Sequence, residues 1–220
     1  MAKQQTFSLA DVPFTAVWAT DNTGGIPLLD PNMQALTVEH PLTVWGATAR
    51  NKVYGGTILF YVDDYRFEKC WRDPSGVPNC QPINVVELNF TTVANMPGAV
   101  AAYKVYQKRW LARWWQSLGI RVFVDMNVHP SFAKLNLMGV PKGWKAYCTR
   151  GSADHLDLLD AEYNLAVERA GTTSILFVVY GGGRACRDHC LKNAYIWLAE
   201  ESDRKRGVLD GSVQELPQPK

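Results

Sequence analysis

The chain has 220 residues, 47% of them hydrophobic, which is enough for one sizeable buried core. Lys plus Arg number 23 against 21 Asp plus Glu, so the net charge of +2 does not by itself call for a polyanionic partner. No apolar run nears the roughly 20 residues of a membrane span, and the opening MAKQQTFSLA lacks the apolar core of a secretory signal, so a cytoplasmic protein with no membrane partner is expected.

Residues 1–40 are punctuated by Pro13, Gly24, Gly25, Pro27 and Pro31 and read as an irregular N-terminal arm. LTVWGAT (42–48) is a short strand candidate. GGTILFYVDDY (55–65) reads as a buried strand, residues 70–82 as a loop, and INVVELNF (83–90) as a second buried strand. Residues 99–118 form the clearest helix, with Tyr103, Tyr106, Trp110 and Trp114 on one face and Gly119 as its stop. IRVFVDMNV (120–128) and GWKAYCTR (143–150) are further strands, 157–170 a helix, and SILFVVY (174–180) the most apolar strand. Gly181-Gly182-Gly183 then opens a helix expected to run from about Arg184 to Arg204. Apolar strands without alternation, joined by helices, imply an α/β fold with a mostly parallel sheet and covering helices. Both an open doubly wound sheet and an incomplete (β/α) barrel fit. Residues 41–206 read as a single domain and the polar tail 207–220 as disordered.

Ligands of parallel α/β folds bind beyond the carboxyl ends of the strands, so the polar residues there are the candidates. VVELNF and VFVDMNV each hold an acid, a spacer and an asparagine, which places acid and asparagine on one side of the strand. A carboxylate in so apolar a strand is costly unless paired or metal-bound. Glu87 and Asp125 are therefore candidate catalytic residues, with Tyr180 as a candidate nucleophile or acid. Asp63, Asp64, Asp125 and Asn127 form an oxygen-rich candidate set for Mg²⁺ or Mn²⁺. The competing reading makes Glu87 and Asp125 buried partners of Arg121, Arg150 or Lys145. Gly181, Gly182, Gly183, Arg184 and Arg150 are candidate phosphate binders at a helix N-terminus, although neither the dinucleotide fingerprint nor a P-loop is present. Lys104, Lys108, Arg109 and Arg113, interleaved with the helix aromatics, are candidate nucleic-acid contacts or a solvated basic face. His129 follows Asp125 and Asn127 as a further base or ligand. The five cysteines are expected as reduced thiols; Cys186, His189 and Cys190 have the spacing of a partial metal site or of a core helix.

The stretches VYQKRWLARWWQSLGIRVFVDMNV, NLMGVPKGWKAYCTRG and ILFVVYGGG resemble a domain-of-unknown-function family of bacteriophages, plasmids and mobile elements, over about residues 103–201. The resemblance implies a phage or plasmid protein, in the host cytoplasm, with a role around DNA replication; it transfers no catalytic residue. Three readings follow. One is a DNA-binding protein, a replication initiator or metal-dependent nuclease using magnesium or manganese. Another is a small-molecule or glycoside hydrolase with paired carboxylates. The third is a non-catalytic partner-binding phage protein, marked by fully paired buried acids and an apolar patch near Trp18, Trp45 or Trp71.

Overall fold

A computed structural model describes residues 6–47 and 54–208; the first five residues, Thr48 at the end of the first strand candidate, and the tail from residue 209 lie outside the described residues. The strands are β1 (Leu42–Val44), β2 (Thr57–Leu59), β3 (Asn84–Val86), β4 (Arg121–Asp125), β5 (Ala146–Arg150), β6 (Leu176–Tyr180) and β7 (Ile196–Leu198). The helices are α1 (Lys69–Arg72), α2 (Gly76–Asn79), α3 (Gly98–Ser117), α4 (Ala133–Asn136), α5 (Leu156–Ala170), α6 (Gly183–Lys192) and α7 (Glu201–Lys205). Contacts divide the chain into two compact units, Met1–Pro141 and Lys142–Lys220.

In the first unit β1 to β4 lie side by side in chain order, each parallel to the next, with Leu42 opposite Thr57, Thr57 opposite Asn84, and Asn84 opposite Arg121. In the second unit β5, β6 and β7 do the same, with Ala146 opposite Leu176 and Val178 opposite Ile196. The α/β fold with parallel strands is thus the one expected. The strand order never reverses within a unit, which is the winding of a (β/α) barrel rather than of a doubly wound sheet with its switch point. Both faces of the central strands are covered: Ile58, Val85, Val122 and Val124 have no exposed surface, and neither do Leu111, Ala112 and Trp115 of α3.

The N-terminal segment is irregular yet belongs to the core of the first unit. Ile26, Leu29 and Ala35 are buried. Leu29 N–H donates to Gly139 O at 2.9 Å and Ala35 N–H to Val122 O at 3.0 Å. Gln116 of α3 clamps the same segment, accepting from Asp30 N–H at 2.8 Å and donating to Asp30 O and Met33 O at 3.1 and 3.2 Å.

Two expectations are corrected. Residues 70–82 are not plain loop but hold the single-turn helices α1 and α2. The long helix over 184–204 is instead α6, β7 and α7. The break falls at Ala194, whose φ of 58° stops a right-handed helix. The Ile-Trp-Leu run that follows has the shape for a pleated surface and pairs with β6.

Candidate functional site

Glu87 and Asp125 sit at the carboxyl ends of β3 and β4, and neither has any exposed surface. Their charges are met by two consecutive residues of α3. Arg109 Nη1 donates to Glu87 Oε1. Its Nη2 donates to Asn136 O at 2.6 Å and its Nε to Met138 O at 3.2 Å. Lys108 Nζ donates to Asp125 Oδ2 at 3.1 Å and Asp125 O at 3.2 Å. The two acids are also joined directly, Asp125 N–H donating to Glu87 Oε2 at 3.2 Å. Tyr61 OH donates to Asp125 Oδ1 at 3.3 Å, and Asn136 Nδ2 to Asp125 O at 2.8 Å. One acceptor in this knot, Asn136 Oδ1, is buried without a partner. The competing reading of buried ion pairs therefore describes the geometry, with helix cations in place of the expected Arg121, Lys145 or Arg150.

Burial pushes the Asp125 carboxyl up to about 6, Lys108 pulls it back, and the neighbouring Glu87 raises it further. A dry pair of this kind offsets its desolvation only through complete hydrogen bonding. Neither carboxylate has exposed surface, and their partners come from α3, so the network holds α3 to the sheet.

The metal candidates are dispersed. Asp63 is exposed. Asp64 accepts from Thr91 N–H at 3.0 Å and Thr91 Oγ1 at 2.8 Å and pairs with Lys104 at 3.1 Å. Asn127 N–H donates to Asp125 Oδ1 at 3.2 Å. Among the described residues no three His, Cys, Asp or Glu side chains converge as a metal-holding group. His129 accepts Ser131 N–H on Nδ1 at 3.3 Å, which leaves the proton of a neutral ring on Nε2. Its backbone N–H donates to Thr92 Oγ1 at 2.7 Å, drawing the loops after β3 and β4 together.

Of the four cations expected on the outer face of α3, Lys108 and Arg109 are interior. Lys104 is partly exposed on Asp64, and Arg113 lies over the Trp18 ring at 5.0 Å. A signal for this was present: Lys108 and Arg109 fall in helical phase with Val105 and Ala112, both buried. The roles of Tyr61 and Asn136 had no such signal, since each reaches Asp125 across the fold.

In the second unit, Arg150 pairs with Glu200 at 2.8 Å, and Ser202 Oγ donates to the other oxygen of Glu200 at 2.7 Å. Gly181 packs on the Glu200 carboxylate, where a Cβ would come within 3.0 Å. Gly182 and Gly183 continue the turn with φ of 93° and 77°, and Arg184 is exposed. Tyr180 is buried, and its phenol is pushed up to about 12 by burial and then by Glu200, against the pull of Arg150 and Arg204. As it stands that hydroxyl keeps its proton at neutral pH. His189 Nε2 and Tyr195 OH both bond Asp160 Oδ1, at 2.7 and 2.9 Å. Cys186 and Cys190 are buried and free, with the Cys186 thiol lowered by the Cys190 hydrogen bond.

Fold and site together define a parallel α/β domain, barrel-wound within each unit, whose strand-end acids in the first unit are held in internal ion pairs. The chain matches the model of the Domain of unknown function (DUF4417) over residues 18–190 and belongs to that family. It is 28% identical over 175 residues to the "Gene 1 protein" of Mycobacterium phage D29, covering 75% of this chain and 63% of that protein. It is 39% identical over 70 residues to the "Gene 1 protein" of Mycobacterium phage L5, covering 31% of each. The chain thus spans less than two thirds of the length of both relatives. The family is phage-associated, as the resemblance implied. No solved structure matches. Among the described residues no helix is long and apolar enough to cross a membrane.

Proposed function

We propose that this domain of a phage-associated family binds nucleic acid without cutting it. The observation that carries the non-cutting half is the pairing of Glu87 with Arg109 and Asp125 with Lys108, all four buried. A carboxylate that holds Mg²⁺ must offer open oxygens to the ion. Here each acid already faces a cation of its own chain, and breaking such a pair is costly. The nucleic-acid half is supported by the phage relatives and by aromatic rings and cations on the surface of the first unit. A role in replication follows only from the family's phage setting.

Labelled single- and double-stranded DNA, with and without Mg²⁺ or Mn²⁺ across a salt series, tests the reading. Salt-sensitive binding with intact DNA is the expected result. Metal-dependent cleavage that disappears in Asp125→Asn restores phosphodiester chemistry and refutes the non-cutting half. No binding at low salt removes nucleic acid and moves the partner-protein reading to the front.

A further inference from the structure

Rings from two other segments of the first unit converge on Trp110 of α3, which is only 3% exposed. Phe14 of the N-terminal segment lies parallel to it, centroids 6.0 Å apart and planes at 8°. Trp71 of α1 meets it edge-on at 5.9 Å, and also meets Tyr106 at 6.2 Å and Tyr103 at 6.3 Å, one and two turns earlier on α3. The outer rings of this ridge are open: Phe14 is 49% and Tyr103 51% exposed. Phe14 is thus held against Trp110 while half of its surface stays open.

Cations border the ridge. Lys69 and Arg72 are exposed on either side of Trp71. Lys104 and Arg113 lie along α3, a helix of 20 residues without one acid. Among the nearby acids, Asp64 is paired with Lys104 and accepts from Thr91, which leaves Lys69, Arg72 and Arg113 as the cations of the ridge, while Asp73 accepts from the Ser75 hydroxyl at 2.6 Å and is itself exposed. Glu68 is exposed as well.

We propose that this ridge, centred on Phe14, Trp71 and Tyr103, is a binding surface for single-stranded nucleic acid. The proposal rests on the nucleic-acid reading above and assigns it a site and a strand state. Phe14 and Tyr103 offer flat rings held by other rings, so a stacking partner orders little that is not already ordered. Bases stack on such platforms irrespective of sequence while neighbouring cations follow the phosphates. In a duplex the base faces are already stacked on each other, so the ridge selects the single strand.

The test is fluorescence anisotropy of the full chain with fluorescein-labelled oligothymidylate and with a duplex of equal length. Phe14→Ala and Tyr103→Ala are each expected to weaken oligothymidylate binding by about tenfold or more, and Tyr103→Phe to retain it. Arg72→Glu, an exposed change that leaves the rings in place, is expected to weaken binding and flatten its salt dependence. Circular dichroism checks that each variant is folded. If oligothymidylate binds the wild type but all ridge variants equally well, the ridge is refuted while the nucleic-acid reading stands. Equal affinity for the duplex also refutes it. If the duplex binds the wild type and oligothymidylate does not, the ridge alone is refuted; if neither binds at low salt, both fall.

Discussion

Replacing Arg109 with Met asks whether the buried network stabilises the fold as its geometry implies. The variant strands the Glu87 carboxylate at a position with no exposed surface, and it removes the donors that serve Asn136 O and Met138 O. Breaking one partner of a buried pair costs about 3–5 kcal/mol. Two lost hydrogen bonds add about 2 kcal/mol between them. The sum, about 5–7 kcal/mol, is comparable to the whole stability of many domains, about 5–15 kcal/mol. The double variant Arg109→Met with Glu87→Gln removes the stranded charge and keeps an oxygen for Asp125 N–H, so only about 2 kcal/mol should remain lost. Denaturant unfolding followed by fluorescence of the buried Trp114 and Trp115 reads both values. The reasoning fails if the double variant is as unstable as the single one, because the stranded charge would then not be the cost.

Three further outcomes follow from particular residues. The Asp125 carboxyl rises from 3.8 to about 6 on folding, so its contribution is fully present below 3.8 and is lost as pH climbs through about 6; denaturation midpoints across that window should fall for the wild type relative to Asp125→Asn, and parallel curves would contradict this. Gly56→Ala puts a Cβ 2.1 Å from Pro41 O and should cost more than about 2 kcal/mol, whereas Gly98→Ala at the first residue of α3 meets nothing within 4 Å and should be neutral or gain up to about 1 kcal/mol; thermal melts of the two variants compare them. Ala194→Gly relieves the positive φ of 58° before β7 and should raise stability by up to about 1 kcal/mol, a gain that differential scanning calorimetry would detect.

Much of the fold was legible because its signals are local. Continuous apolar runs marked β2 to β6, and aromatic spacing with Gly119 bounded α3 to within a residue. The last stretch was misread because Arg184 to Arg204 has helix-compatible composition, and a backbone turn at an alanine leaves no mark in the residues. The special standing of Glu87 and Asp125 was legible from the cost of a charge in an apolar strand. Their partners were not, because Arg109 meets Glu87 across 22 positions and Lys108 meets Asp125 across 17, pairings set by how α3 lies on the sheet. The Phe14–Trp110 stack was hidden for the same reason: the two rings come from segments that share no sequence pattern.

Lys108 and Arg109 are neighbours on one helix, yet each answers the acid of a different strand. This arrangement restricts how the protein can change over generations. Neutralising one cation alone passes through a form carrying an orphan interior charge, and moving α3 along its axis mismatches both pairs at once. Viable lineages should therefore exchange position 87 together with 109, and 108 together with 125. The four buried residues act as a lock on sequence history, and their joint replacement would mark a branch where α3 has found a new seating.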